Sequence, residues 1–422
     1  MSDLAYSMYA SCVTECNVNV HKNCVENLPT CCKIKHKVTN CTQNNTMDNS
    51  PAMTIPSDEL EGFEADSWSS SVSASFLQQQ ENSEVKRQDI IYELMQTEMH
   101  HVHNLHVMAD VFADGMYKLL GFDEATVERL FPCQRELEEA HDAFLKQLYE
   151  RWRCCVEEYG GGPNFIMHRI GDILVQQFSE TSAKTLIDIY GEFCSRHKEA
   201  VDLYKALMSR KSFQSFINKQ SQNPKLRRKG VQECMLLVTQ RITKYPTLLG
   251  ELLKHTKDDT EEHADVSKSL VLIKNIIKAV DERVHKRQTL IDFARRTDSK
   301  VQCRTKDGRV FKHADLLALG RRLLYDGNFN WRVSSGRIKD VHVLLMSDVM
   351  VFLQEKDQKY VFPSMKAAVI SLHKMLVREV ANEERAMFLI SAAAHAEIYE
   401  LHLQTKMERN IWMERIRQAV ER

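Results

Sequence analysis

Two groups of residues in this sequence have side chain types and spacings that can do chemistry. The first lies near the start of the chain in the pattern C-x3-C-x4-H-x2-C-x6-C, which consists of Cys12, Cys16, His21, Cys24 and Cys31. Thiolate and imidazole groups at such intervals are the ligands of tetrahedral zinc, which needs four of them. Residues 12–32 are therefore a candidate zinc site. The alternative is an incomplete remnant, largely unfolded, because metal binding is what folds such modules.

The second group lies on a helix predicted from Gly230 to Thr256. At 3.6 residues per turn, Gln240 and Lys244 share a polar face, and the opposite stripe is apolar. That stripe consists of Cys234, Val238, Ile242, Tyr245, Leu249 and Leu252. Pro246 lies within the helix, where it removes one backbone donor and favours a kink. A kinked core helix with a fixed polar face predicts a surface on which another protein docks.

Other kinds of chemistry are not indicated. The sequence has no Walker-type phosphate loop, no G-x-G-x-x-G and no H-E-x-x-H. Four histidines, His100, His101, His103 and His106, spread around one predicted helix without carboxylates at ligand spacing, so we expect a solvated face there. Covalent catalysis is not predicted, and we expect no cofactor to be required, with zinc in residues 12–32 as the one candidate.

Composition limits the class of protein. The chain has 422 residues and a hydrophobic content of 43%, which predicts two to three domains. Fifty-seven basic and 58 acidic residues give a net charge of −1, which argues against a nucleic-acid partner and leaves at most weak membrane association. No apolar run approaches the roughly 20 residues of a membrane-spanning helix, and Met1 to Ala10 does not resemble a signal peptide. We expect a cytoplasmic protein, with association to the cytoskeleton or membranes left open.

Changes in periodicity divide the chain into segments. Residues 1–41 carry the cysteines, and 42–84 are predicted to be a disordered linker, in which Trp68 and Phe76 either pack on the next domain or belong to an exposed tether. Helical patterns fill 85–296, with helices predicted at 85–112, 124–156, 164–178, 181–208, 230–256 and 264–295. A linker is expected at 297–322. Short strand-like runs and a final helix at 406–421 then fill 323–422. The predicted fold is an all-α elongated helical bundle followed by a β-sandwich or barrel with a C-terminal capping helix.

Several stretches resemble a known family. The helical region resembles the Dbl-homology domain of Rho guanine nucleotide exchange factors, through QDIIYELMQTEMHHVHNL and LLVTQRITKYPTLL. The strand region is similar to the pleckstrin-homology domain that accompanies it. DSWS, RLFPC, EFCSRH, VFLQEKDQKY and MFLISAA are similar to the Lbc-type subfamily. CNVNVHKNCVENLPTC resembles the C-terminal half of a zinc finger that binds diacylglycerol, without that family's opening ligands.

The resemblance implies a function and a set of site residues. Such a protein accelerates GDP release from a Rho-family GTPase by stabilising its nucleotide-free state. By resemblance, Glu93 contacts switch I, Gln240 and Lys244 contact switch II, and Asp281 completes the surface. Arg241 and Tyr245 belong to the same motif as Gln240 and Lys244. Tyr245 either supports the helix from the core or contacts the GTPase directly.

Selectivity and a second surface also follow from the resemblance. Arg227 and Arg228 match an arginine pair of Rho-specific factors that meets acidic residues, which implies RhoA as the preferred partner rather than Rac or Cdc42. The alternative is a solvated basic turn. Phe388 and Ile390 match a patch that holds activated RhoA, unless they line the sandwich core. The turn residues Arg332, Arg337 and Lys339 are too few to predict tight lipid binding. Two other functions stay open, a GTPase-binding scaffold without catalysis and a lipid-sensing adaptor.

Overall fold

The computed structural model describes residues 9–11, 19–21, 65–300, 302–305, 308–318, 320–332, 338–363, 368–391 and 397–421, with side chains from residue 65 onward. The backbone strands β1 (Tyr9–Ser11) and β2 (Asn19–His21) pair antiparallel. The candidate zinc ligands Cys12, Cys16, Cys24 and Cys31 lie outside the described residues, as does the side chain of His21. The zinc site therefore stays a prediction.

The chain folds into two compact units. The first comprises Met1–Val127, Gln134–Ser182 and Leu207–Lys274, and the second comprises Glu128–Cys133, Ala183–Ala206 and Asn275–Arg422. The α-helices of the helical region are α1 (Trp68–Ser71), α2 (Ala74–Leu77), α3 (Asn82–Val107), α4 (Asp114–Leu120), α5 (Glu124–Leu130), α6 (Gln134–Glu158), α7 (Gly171–Phe178), α8 (Glu180–Met208), α9 (Lys211–Gln220), α10 (Val231–Lys254) and α11 (Glu261–Arg296). A π-helical turn, Met108–Ala113, joins α3 to α4. None of the helices in the described ranges is long and apolar enough to span a membrane.

The first unit is organised around α3, which packs against both α6 and α10. The apolar stripe predicted on α10 is buried throughout, from Cys234 to Leu252. On α3 the buried positions include Ile91, Leu94 and Met95. Helical periodicity thus located the core correctly, because burial of an apolar face is what stabilises each helix.

Two predicted helices are interrupted. The helix predicted at 124–156 is broken between α5 and α6, where Pro132 disfavours helical backbone at the preceding residue and Cys133 is left-handed with φ 53°. The helix predicted at 164–178 begins only at Gly171. The backbone of Met167 instead bonds to the buried Gln88 side chain of α3, which accepts from its N–H at 2.9 Å and donates to its carbonyl at 3.0 Å. A buried side chain here supplies the backbone hydrogen bonds that a helix would otherwise make.

The predicted disordered linker 42–84 extends too far toward the C-terminus, because α1, α2 and the start of α3 lie within it. Trp68 is fully buried in the first unit, its indole N–H donates to the carbonyl of Phe165 at 3.0 Å, and its ring contacts Phe76 and Phe165 edge-on. The backbone N–H of Ser69 donates to Asp89 of α3 at 2.8 Å. Of the two alternatives for this segment, the packed element is the one observed.

The second unit contains an antiparallel sheet. Its strands are β5 (Leu323–Arg332), β6 (Ile338–Met346), β7 (Val349–Lys356), β8 (Lys359–Val361), β9 (Val369–Ser371), β10 (Met375–Val380), β11 (Glu383–Ser391) and β12 (Glu397–His402). The strand order is β10-β11-β12-β5-β6-β7-β8, and β9 also pairs with β7. The final helix is α12 (Lys406–Val420). Trp412 of α12 lies on β5, where a Cβ on Gly327 would come within 3.2 Å of its ring.

The predicted linker 297–322 is also partly structured. It contains the two-stranded pair β3 (Gln302–Arg304) and β4 (Val310–Lys312) and a 3-10 segment, His313–Leu317. Phe311 and Leu316 are buried in a cluster with sheet residues and with Leu290 at the end of α11. The buried residues of this segment belong to a core that is built mainly by the distant strands β5 to β9.

Candidate functional site

The predicted contact residues of α10 alternate with buried ones. Gln240 and Lys244 are half-buried at the surface, whereas the residue after each, Arg241 and Tyr245, lies in the interior at 5% and 2% exposure. Neighbours in an α-helix differ by about 100° in direction, so the two i, i+4 pairs face different ways. One pair faces the surface and the other faces α3.

Both interior residues of this motif contact the same carboxylate. Glu98 of α3 is fully buried and accepts from Arg241 Nε at 2.9 Å and from the Tyr245 hydroxyl at 2.7 Å. On its other oxygen it accepts from His141 Nδ1 of α6 at 2.6 Å. Burial alone would raise the pKa of Glu98, but Arg241 and then His141 hold it well below its usual value. Glu98 is therefore an ionised hub joining α3, α6 and α10.

Glu98 and His141 are functional candidates that the sequence did not indicate, whereas Arg241 and Tyr245, which also bond Glu98, belong to the predicted motif. The prediction of a solvated histidine face is wrong for His101, which is buried with its ring 4.3 Å from that of His141. Burial lowers the pKa of His101 well below its usual value, so it is neutral near pH 7. Of the two alternatives for Tyr245, the core position is the one observed. Its ring packs on Phe144 and Phe178, and its hydroxyl donates to the buried Glu98 carboxylate.

Glu93 is exposed on α3, five residues before Glu98. Its backbone carbonyl accepts from the hydroxyl of Thr97 at 2.6 Å. Because α3 packs directly on α10, the first unit brings Glu93 onto a helix adjoining the one that carries Gln240 and Lys244. The three predicted switch-contacting residues thus all lie on helices joined through one buried network.

The arginine pair lies on a turn with unusual backbone geometry. Arg227 and Arg228 are exposed and left-handed, with φ 44° and 68°. This conformation costs non-glycine residues roughly 1 kcal/mol each. The turn is anchored by buried Leu226 and by His103 of α3, whose ring Nε2 donates to the carbonyl of Lys225 at 3.0 Å. Both guanidinium groups are therefore presented from a fixed turn.

Asp281 belongs to the second unit. It is exposed on α11, and its carboxylate lies close enough to Cys194 of α8 to act on that thiol. Burial, together with this charge, raises the pKa of Cys194 to about 12. Cys194 is therefore a protonated, unreactive packing residue beside the exposed carboxylate of Asp281.

Phe388 and Ile390 lie on the outer face of β11. Their neighbours Met387 and Leu389 are fully buried, so the alternative in which Phe388 and Ile390 line the core does not hold. Ile390 is paired with Leu376 on β10 and with Ile398 on β12, which are 47% and 65% exposed. These residues form an apolar surface, which we call the β11 patch, consisting of Leu376, Phe388, Ile390 and Ile398. A contiguous exposed apolar surface is typical of an interaction site.

The basic residues considered for lipid binding are sparse in this sheet. Arg332 forms an ion pair with Glu400 at 3.4 Å, which offsets its charge. Lys339 is on β6, and Arg337 lies outside the described residues. The described part of the sheet therefore offers no concentrated basic surface around Arg332.

These features define a class of protein, a helical domain with a polar α3 and α10 surface followed by an antiparallel sheet capped by a C-terminal helix. Residues 90–281 match the RhoGEF domain family, and residues 305–421 match a PH domain family. Human Rho guanine nucleotide exchange factor 28 is 50% identical over 372 residues, which cover 86% of this chain and 22% of that protein. Human Rho guanine nucleotide exchange factor 2 is 47% identical over 363 residues, which cover 85% of this chain and 36% of that protein.

Solved structures agree with this class. The DH/PH domain of human ARHGEF11, in a ternary complex with human RhoA and its inhibitor, is 30% identical, with a TM-score of 0.50 and coverage of 84% of this chain and 99% of that one. PDZ-RhoGEF DH/PH domains in complex with activated RhoA are 29% identical with a TM-score of 0.51, again covering 84% and 99%. The chain belongs to the RhoGEF family, with a Dbl-homology domain followed by a pleckstrin-homology domain, as the sequence predicted. It spans about a fifth to a third of the length of these curated relatives.

Proposed function

We propose that this chain accelerates GDP release from a Rho-family GTPase without covalent chemistry. An exchange factor binds the nucleotide-free GTPase more tightly than the GDP-bound form, and by linkage the affinity for GDP falls by the same factor. Each tenfold loss of nucleotide affinity requires about 1.4 kcal/mol of differential binding. On this proposal Glu93 contacts switch I, Gln240 and Lys244 contact switch II, and Asp281 makes a further contact with the GTPase.

One observation carries the proposal. In the motif on α10, Gln240 and Lys244 face the surface while Arg241 and Tyr245 are fixed to Glu98 in the core. A surface that holds mobile loops of a partner needs polar groups on rigid elements, supported from behind. Membership of the RhoGEF family supports the same interpretation.

RhoA is the partner we propose. The two similar structures described above are complexes that contain RhoA, and exposed Arg227 and Arg228 offer two guanidinium groups from an anchored turn. Acidic residues on the partner would make charge-assisted, bidentate contacts with them, and a neutral partner surface would not. Selectivity for RhoA over Rac and Cdc42 then depends on this pair.

The proposal is tested by the release of fluorescent GDP from RhoA, Rac and Cdc42. We expect wild-type protein to accelerate release from RhoA most, and Lys244→Ala to lower the rate at least tenfold while RhoA binding is weakened less. Arg227→Glu with Arg228→Glu should lower the RhoA rate sharply at low salt. A wild-type protein that binds RhoA without speeding release would be a scaffold, and the exchange proposal would be rejected.

A second binding function is favoured by the β11 patch. We propose that it holds GTP-loaded RhoA, which would keep the exchange factor near its own product. The outward orientation of Phe388 and the exposed neighbours Leu376 and Ile398 support this proposal. On this proposal neither surface requires a cofactor.

A further inference from the structure

A chain of hydrogen bonds leads from the core to the backbone of Glu93. Arg241 Nη1 donates to the Thr97 hydroxyl oxygen at 2.9 Å. The Thr97 hydroxyl in turn donates to the carbonyl of Glu93 at 2.6 Å. A hydroxyl can accept and donate at once, so both bonds are satisfied by one side chain. The motif of α10 is thereby connected to the residue of α3 that is proposed to contact switch I.

Arg241 is itself fixed in place. Its guanidinium bonds the buried Glu98 carboxylate through both Nε and Nη2, and it stacks on the Tyr245 ring at 4.5 Å from the ring centroid. His141 holds the second Glu98 oxygen from α6. A charged and fully buried pair held by two hydrogen bonds has little freedom, because any displacement leaves a charge unpaired in a medium of low polarity. Thr97 therefore bonds to a rigid donor.

The two surface groups share this support. Gln240 and Lys244 are each followed by a residue bonded to Glu98, and Glu93 is bonded to Thr97 one turn later on its own helix. The relative placement of α3 and α10 is consequently set by groups that do not themselves reach the surface used for exchange. Displacements near 1 Å at such a surface lower rates by up to about a hundredfold.

Resting on the proposed exchange function, we propose that Glu98 and Thr97 are positioning residues. Glu98 fixes α10 against α3, and Thr97 transmits that placement to Glu93. Neither touches the GTPase. They act on the step in which nucleotide leaves, because the geometry they hold is needed for the nucleotide-free complex rather than for first contact.

Thr97→Val tests the link with little disturbance of the fold, because valine keeps the branched shape and removes only the hydroxyl. The matched control is Thr289→Val on α11, where Thr289 makes the same hydroxyl bond to the carbonyl four residues earlier, at 3.0 Å from His285. We expect Thr97→Val to lower the maximal rate of GDP release from RhoA about tenfold with an unchanged half-saturating concentration. Thr289→Val should leave both unchanged.

Tyr245→Phe provides a second variant, because it removes one bond to Glu98 and keeps the ring packed. A purely structural role would lower the melting temperature of Tyr245→Phe without changing the exchange rate of the folded protein at low temperature. Positioning predicts a lower maximal rate at temperatures where the circular dichroism spectrum equals that of the wild type.

A double-mutant cycle with Glu93→Ala tests whether Thr97 affects exchange through Glu93. If Thr97 acts through Glu93, adding Thr97→Val to Glu93→Ala should change the remaining rate less than about twofold. The proposal would be overturned if Thr97→Val had an equal effect in the wild type and in Glu93→Ala, or if Thr97→Val were as active as Thr289→Val. In either case an active wild-type protein would still establish the exchange function. A wild-type protein inactive on RhoA, Rac and Cdc42 would overturn the exchange function and the positioning role together.

Discussion

The hydroxyl of Tyr245 donates to the carboxylate of Glu98 at 2.7 Å, across the interface between α10 and α3. The two residues are 147 positions apart in sequence. Tyr245 belongs to the motif that contains the proposed switch II contacts, yet its own side chain is directed inward. The motif therefore combines the two proposed contact residues with two buried supporting residues within two turns of helix.

We expect Glu98→Gln to lower the free energy of unfolding of the first unit by about 3 kcal/mol. The substitution keeps the shape but leaves the buried Arg241 guanidinium without a counter-charge, which is strongly destabilising. Urea unfolding followed by circular dichroism measures the effect. Glu251→Gln is the control, because Glu251 is exposed on the same helix as Arg241 and pairs only with Lys254 among the described contacts. Equal midpoints for both variants would contradict the role given to Glu98.

Hydrophobic periodicity predicted much of this fold, but it could not predict the buried polar network around Glu98. The strands of the sheet and the apolar stripe of α10 follow from local patterns, since each element buries its own regular face. Glu98 gives no such signal, because a glutamate in a helical pattern normally faces solvent. Its burial depends on Arg241, 143 positions later, and on His141. Contacts at such separations are not encoded in any local window.

The same reasoning applies to Trp68 and to residues 164–170. A tryptophan within a serine-rich segment is compatible with an exposed tether, and its partner is the carbonyl of Phe165, 97 positions away. Residues 164–170 carry helix-like spacing, but Gln88 and Glu262 supply side chain partners for the non-helical backbone. Local propensity was overruled in both segments by distant groups of the first unit.

We expect Trp68→Ala to release the segment containing α1 and α2 from the first unit. Removing a fully buried tryptophan costs about 3 to 5 kcal/mol, which is comparable to the stability of so short a segment. Hydrogen exchange measured by mass spectrometry should show the amides of residues 67–77 exchanging at least a hundredfold faster. Leu119→Ala, at an exposed leucine of α4, should leave these amides protected. Protection that survived in Trp68→Ala would show that the indole is not the anchor.

The contribution of Glu138 to the stability of the first unit should fall as the pH rises toward neutrality. Burial, with Asp142 and Asp110, raises the pKa of Glu138 to about 7, although Gln134 and His106 act to lower it. Between its ordinary value of 4.5 and about 7, folded Glu138 holds a proton that the unfolded chain has lost, so folding is favoured less as pH increases. The hydrogen bond to Asp142 raises the pKa of His106, so the contribution of His106 to stability is also lost as the pH rises through that pKa.

Glu138→Gln should remove the glutamate part of this dependence. At pH 8 we expect the variant to be about 1 to 2 kcal/mol more stable than the wild type, after allowance for partial exposure to solvent, and at pH 5 the two should be similar. Urea midpoints at pH 5, 6, 7 and 8 measure the difference. Glu139→Gln, at an exposed neighbour, should follow the wild-type curve. A stability difference between Glu138→Gln and the wild type that does not grow from pH 5 to pH 8 would contradict the raised pKa of Glu138.

The β11 patch should be required for capture of GTP-loaded RhoA by the chain. Phe388→Ala with Ile390→Ala should abolish this capture, because the two side chains lie on the central strand of the patch, between β10 and β12. Both are only half-buried, so the melting temperature should change little. Met407→Ala, at a 71% exposed methionine on α12, is the control and should bind normally. RhoA loaded with GDP serves as the second control for capture.

The exchange surface and the patch can be separated by the same variants. If the patch acts independently, Phe388→Ala with Ile390→Ala should release GDP from RhoA in solution at the wild-type rate, whereas Lys244→Ala should bind GTP-loaded RhoA normally. Retention of GTP-loaded RhoA by the Phe388 and Ile390 variant would show that the exposed face of β11 is not its binding site. Met387 and Leu389 of the same strand are buried in the core, so the two substitutions alter only the outer face of β11 and test that face alone.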